Sequence, residues 1–150
     1  MTPHTMHFLR RPCAVLGFTL VIGVSSVGCD HRAAAMTRSV PVALASAPDQ
    51  KTLESSIEVS LARRHWQIKE HQPGKYIAEY SEKGHSATVA VLYDGQSARV
   101  DYVDSQGLLY AKEGDGEVIH RNYNTWVKNL ANDIKINLSQ DQLSAASAPK

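Results

Sequence analysis

Cysteine is scarce in this chain. Of 150 residues only Cys13 and Cys29 are cysteine, and both lie near the start. No intrachain disulfide can therefore hold the remainder, and thiol catalysis or cysteine-based metal and redox centres are excluded there. Phenylalanine is equally rare: Phe8 and Phe18 sit in the same leading stretch, leaving Trp66, Trp126 and six tyrosines as the later aromatics. Charge of one sign is missing too. Without Arg10 and Arg11 the 16 basic residues fall to 14, against 15 acidic ones, and so balanced a chain has no electrostatic footprint for nucleic acid. The one apolar run, Cys13 to Val24, is shorter than the about 20 residues that cross a bilayer. There is no Gly-x-Ser-x-Gly elbow, no phosphate loop and no pair of carboxylates in a plausible cleft. No internal repeat is visible.

What the first residues do contain is an export signal. Met1 to Pro12 carries Arg10 and Arg11 and no acid, the apolar run follows, and Ser25-Ser26-Val27-Gly28-Cys29 closes it with small residues. That order is the order of a secretory signal peptide. Val27-Gly28-Cys29 resembles the lipobox of bacterial lipoproteins, in which the cysteine is acylated and becomes the mature N-terminus. Ser26 stands where lipoboxes usually carry an aliphatic residue. A rival cut after Ala33-Ala34-Ala35 would discard Cys29. The position of Gly28-Cys29 at the end of the apolar run favours lipidation of Cys29, and two or three acyl chains anchor stably where one holds marginally. Asp30 resembles an inner-membrane retention signal. The expectation is a lipid-anchored protein facing the periplasm, with the bilayer as its first partner.

The rest divides into three. Residues 29–48 are rich in Ala, Ser and Pro, which suits a flexible tether. Residues 49–138 form one small α+β domain, and residues 139–150 a frayed tail. Asp49 caps a helix to about His65, with Leu53, Ile57 and Leu61 on one face. Trp66 to Glu70 alternates as a half-buried strand does. Pro73-Gly74, Lys83-Gly84 and Asp94-Gly95 then separate strands at Lys75–Glu82, His85–Tyr93 and Ser97–Asp104. Tyr76, Ala78, Tyr80, Ala87, Val89, Val91, Tyr93, Ala98, Val100 and Tyr102 fall on the inward face. A loop runs from Ser105 to Glu117, with a short extended piece at Leu108-Leu109-Tyr110. A last helix spans about Ile119 to Leu138, its stripe set by Tyr123, Val127, Leu130, Ile134 and Leu138, with Trp126 widening it. The predicted fold is a two-layer sandwich: a four-stranded antiparallel meander flanked by an N-terminal and a C-terminal helix.

Three stretches, Gly84 to Val89, Tyr102 to Ser105 and Ile119 to Leu130, together look like a family of small proteobacterial lipoproteins. The resemblance covers roughly residues 50 to 138, and His120-Arg121-Asn122-Tyr123-Asn124-Thr125-Trp126 is its most specific part. It implies lipoprotein status and an αββββα domain, and it implies no reaction. Relatives tend to carry Asn and then Leu-x-Tyr after the Asp-Ser pair, whereas this chain has Gly107-Leu108-Leu109-Tyr110.

The candidate site is a polar cluster at the start of the last helix: His120, Arg121, Asn122 and Asn124, joined by Tyr102, Asp104, Ser105 and Tyr110. Free N–H groups at a helix start attract anions, so a carboxylate or sugar would suit it. The structural alternative has Asn side chains capping and bracing loops and Arg121 pairing with Asp104. His65, His71, His85 and His120 lack metal-site spacing, and no metal or cofactor is expected. Two readings remain. One is a non-enzymatic binding or assembly module meeting an envelope protein through an open sheet face or edge, with Arg99, Asp101 and Val103 as contacts. The other is a small-ligand binder or weak hydrolase around His120 and Arg121. The missing catalytic motifs favour the first.

Overall fold

The computed structural model describes residues 32–44 and 47–147. The expected signal peptide and Cys29 lie outside the described residues. In chain order the elements are β1 (Ala33–Ala35), β2 (Ser39–Val42), α1 (Gln50–Arg63), β3 (Gln67–Gln72), β4 (Lys75–Glu82), β5 (His85–Tyr93), β6 (Ala98–Gln106), β7 (Ala111–Glu113), β8 (Gly116–His120) and α2 (Arg121–Ser147). The α+β class and the two helices are as expected. The sheet is larger than the predicted meander: a five-stranded sheet ordered β2-β6-β5-β4-β3 adjoins a three-stranded one ordered β1-β8-β7, and every pairing is antiparallel.

α1 starts where Asp49 accepts a hydrogen bond from the Thr52 N–H at 3.0 Å, satisfying a donor that the helix itself leaves free. Leu53, Ile57 and Leu61 are buried in the core, and Ser56 and Ser60 are buried beside them. Those two serines make the seam with α2. Ser60 Oγ accepts from Asn137 Nδ2 at 2.8 Å, Ser56 Oγ donates to Asp141 at 2.8 Å, and Arg63 donates to Asn137 Oδ1 at 2.8 Å. Arg64 pairs with Asp133. The pairs 56–141, 60–137 and 64–133 run in opposite senses, so the helices are antiparallel. The seam also explains why α2 continues through Ser147 rather than fraying after Leu138: Asp141 has a partner on α1. Two tyrosines pin α1 to the sheet, Tyr76 donating to Glu58 and Tyr93 to Glu54, each at 2.8 Å.

β4 and β5 have the predicted bounds, and their inward residues fill the core beside Tyr123, Val127, Leu130, Ile134 and Leu138 of α2. Four expectations are corrected. The stretch read as a tether carries β1 and β2: Val42 is buried, and Met36, Val40 and Leu44 pack on the core. Pro41 is tolerated because β2 is an edge, where a missing N–H leaves no ladder bond broken. The stretch read as a loop carries the β7–β8 hairpin, and the residues Ile119 and His120 end a strand instead of opening α2. β3 does not alternate. All six of its residues are exposed, because it lies at the sheet edge and a bulge between Ile68 and Glu70 shifts its register; the buried aromatic is Trp66, just before it. Asp94-Gly95 belongs to a four-residue loop, held by Asp94 accepting from the Gln96 and Ser97 N–H groups at 2.8 and 2.7 Å.

Candidate functional site

Three connections meet at one end of the molecule: the β4–β5 turn, the β6–β7 link and the β8–α2 junction. Gly107 in the link has φ +68°, and a Cβ there would lie 2.7 Å from the Gly84 carbonyl oxygen and 3.0 Å from His85 Nδ1. Only glycine fits so close an approach. The approach places the Gly107 carbonyl 2.7 Å from His85 Nδ1. A carbonyl only accepts, so Nδ1 carries the hydrogen and the neutral ring offers Nε2 as an acceptor. His120 is held the other way. Its Nδ1 accepts from the Asn122 N–H at 3.2 Å, so its Nε2 is the donor, and its ring does the work of a cap on α2. The two rings stack with centroids 6.1 Å apart.

Glu82, Lys83, His85, Leu108, His120, Asn122 and Trp126 line an open cleft of about 260 Å³ here. Trp126 is its wall toward a second groove of about 380 Å³, floored by Trp66 and Tyr80 and edged by Arg63, Arg64, His65 and Asn129. Tyr80 meets Trp126 edge-on at 4.7 Å and donates to Glu82 at 3.1 Å. Lys83 and Leu109, non-glycine residues with φ of +50° and +54°, flank the cleft. Strained backbone of this kind collects around functional sites.

The predicted polar cluster is divided. His120 and Asn122 line the cleft. Arg121 is exposed, and among the described residues no carboxylate pairs with it; Asp104 instead accepts from the Ser105 N–H at 2.8 Å. Asn124, Tyr102 and Tyr110 serve the β1–β2 strap. Asn124 donates to the Ala35 carbonyl at 2.8 Å and accepts from the Thr37 N–H at 2.9 Å, which is bracing of the structural kind. Tyr102 stacks on Tyr110 at 5.6 Å, and the Arg38 guanidinium sits 5.6 Å from the Tyr102 ring centre. Arg38 pairs through Nε and Nη2 with Glu117, which also accepts from Tyr110 at 2.8 Å. Arg38 first and Tyr110 second hold the Glu117 carboxyl down at about 2. Below them the Tyr123 hydroxyl is buried with no hydrogen-bond partner among the described residues, and its burial raises its pKa.

Sequence reasoning left out His85, Glu82, Lys83 and Trp126 as cleft residues and Arg38–Glu117 as a clamp. Gly84-His85 and His120 to Trp126 were both in the stretches that carried the family resemblance; their meeting depends on β-sheet register. The other histidines lie elsewhere. His71 stacks on Tyr76 at 4.0 Å, and His65 follows the end of α1 with φ 59°. Among the described residues no three metal-ligating side chains gather, and no helix is long and apolar enough to cross a membrane. No protein-family model, curated protein or solved structure matches the chain.

The remaining surface of note is the sheet face away from the helices. Among the described residues no element covers it. Ile77, Ala90 and Leu92 form its centre, Ile77 and Leu92 half-buried and Ala90 6% exposed. Ion pairs frame it: Arg99–Asp101 at 2.9 Å and Lys69–Glu79 at 3.3 Å. Val103, 49% exposed, lies beside it at the bulge in β6 pairing.

Proposed function

We propose that this protein is a lipid-anchored envelope module that acts by binding a protein partner and catalyses nothing. The observation that carries the binding part is the bare five-stranded face, with its Ile77–Ala90–Leu92 centre and ion-paired frame. An apolar centre inside a polar rim is the usual layout of a protein interface. The sheet edge is the poorer candidate: β3 carries Lys69, Glu70 and a bulge, the devices that keep edges from pairing. Arg99, Asp101 and Val103 remain contacts in this reading, as parts of the face.

The anchor at Cys29 draws support from β1. Ala33–Ala35 pairs with Val118–His120, and the Arg32 carbonyl accepts from the Arg121 N–H at 2.8 Å. Cleavage after Ala35 would remove that strand, whereas cleavage before Cys29 leaves it whole. The small-ligand reading keeps one observation in its favour, the His85–His120 pair presenting one acceptor and one donor beside Trp126. Against it, both rings are already committed to local bonds and the cleft is open to water.

The test puts a photo-crosslinking residue at position 92 in living cells. A discrete adduct that Ile77→Glu abolishes, in a protein still folded by circular dichroism, supports the face. An adduct indifferent to Ile77→Glu, or none from position 92 while position 122 crosslinks, moves the function to the cleft.

A further inference from the structure

We infer that the cleft end of the molecule lies against the bilayer, so that the five-stranded sheet stands upright on the membrane with its bare face turned sideways. The inference rests on the lipid-anchor reading of Cys29 and adds to it an orientation. Cys29 is three residues before Arg32, and three extended residues span at most about 11 Å. Arg32 is already built into the fold. Its carbonyl accepts from Arg121, and the adjacent His120 N–H donates to the Leu108 carbonyl at 2.7 Å. Arg32, His120–Arg121 and Leu108–Leu109 therefore form one row across this end. An acylated Cys29 leaves that row no room to leave the headgroup layer.

The surface suits the place. Lys83, with a side chain 86% exposed, and the exposed Arg121 rim it, and Leu109 is 43% exposed beside them. Glu82, the acid among the cleft-lining residues, lies 3.7 Å from Lys83. Basic side chains around an exposed aliphatic one fit the phosphate and upper acyl region of an anionic membrane. The far end is out of reach. β5 runs nine residues from His85 at the cleft to Tyr93, and at 3.4 Å per step that is about 27 Å.

The experiment uses the full chain, acylated in cells and reconstituted into vesicles of phosphatidylethanolamine and phosphatidylglycerol. Asn122→Cys and Gly95→Cys each receive a thiol fluorophore, and quenching by headgroup-nitroxide lipid is compared. Both sites are exposed, and a Cβ at Gly95 meets nothing within 4 Å. The orientation predicts quenching several-fold stronger at position 122 than at 95. Equal or reversed quenching, in protein that floats with the vesicles, overturns the orientation while leaving the anchor. Protein that carries no acyl mass and stays in the supernatant overturns the anchor and the orientation with it.

Discussion

Gly107 is where a single side chain decides local geometry. Gly107→Ala must move either the Gly84 carbonyl or His85, so it should cost about 1–3 kcal/mol in urea unfolding, more than Gly114→Ala, whose φ of +57° is strained but whose Cβ meets nothing. His120→Ala removes a cap acceptor and should cost about 1 kcal/mol, while Arg121→Ala, exposed and without a carboxylate partner among the described residues, should leave the unfolding midpoint unchanged. Glu117 gives a pH signature. Its carboxyl is lowered from 4.5 to about 2, so its contribution is present above the ordinary value and is lost as pH falls from about 4.5 to about 2. Glu117→Gln should therefore narrow the gap to wild type as pH falls through that window, measured by urea midpoints against pH. At this scale Asp49 as a cap was legible, because capping is local. The nearness of His85 to His120 was not, since it depends on which strands pair and in what register.

Strands bounded by tight turns were legible as elements. β4 and β5 carry apolar residues at every second position of the inward face and end at turn dipeptides, so their limits follow from pleat and turn chemistry. β1 and β2 were obscured because short edge strands bury little. Ala33–Ala35 has only methyl groups, and Pro41 interrupts a stretch in which Val40 and Val42 nonetheless alternate. The β7–β8 hairpin was hidden among glycines, although Gly114-Asp115 is itself a hairpin dipeptide. The strap depends on Asn124. Asn124→Ala loses two hydrogen bonds to its backbone and should cost about 1–3 kcal/mol, with faster hydrogen exchange confined first to residues 33–42 and β8. Uniform acceleration across β4 and β5 would mean that the strap is not a separate unit.

For the whole molecule, the two layers were legible and the second sheet was not, because a layer follows from amphipathic faces whereas a strand added by the N-terminal strap is a long-range event. That strap changes the functional picture. A tether would let the domain roam from the membrane, and a strand beginning four residues after Cys29 would hold it there. In the proposed reading the sheet face and the anchored end would divide the labour, one toward a partner and the other toward lipid. The most direct test is intact mass spectrometry of the native protein extracted from membranes. A chain beginning at an acylated Cys29, with Ala33–Ala35 retained, is the expected result. A chain beginning at Met36 without acyl groups would contradict it, removing the anchor and β1 together.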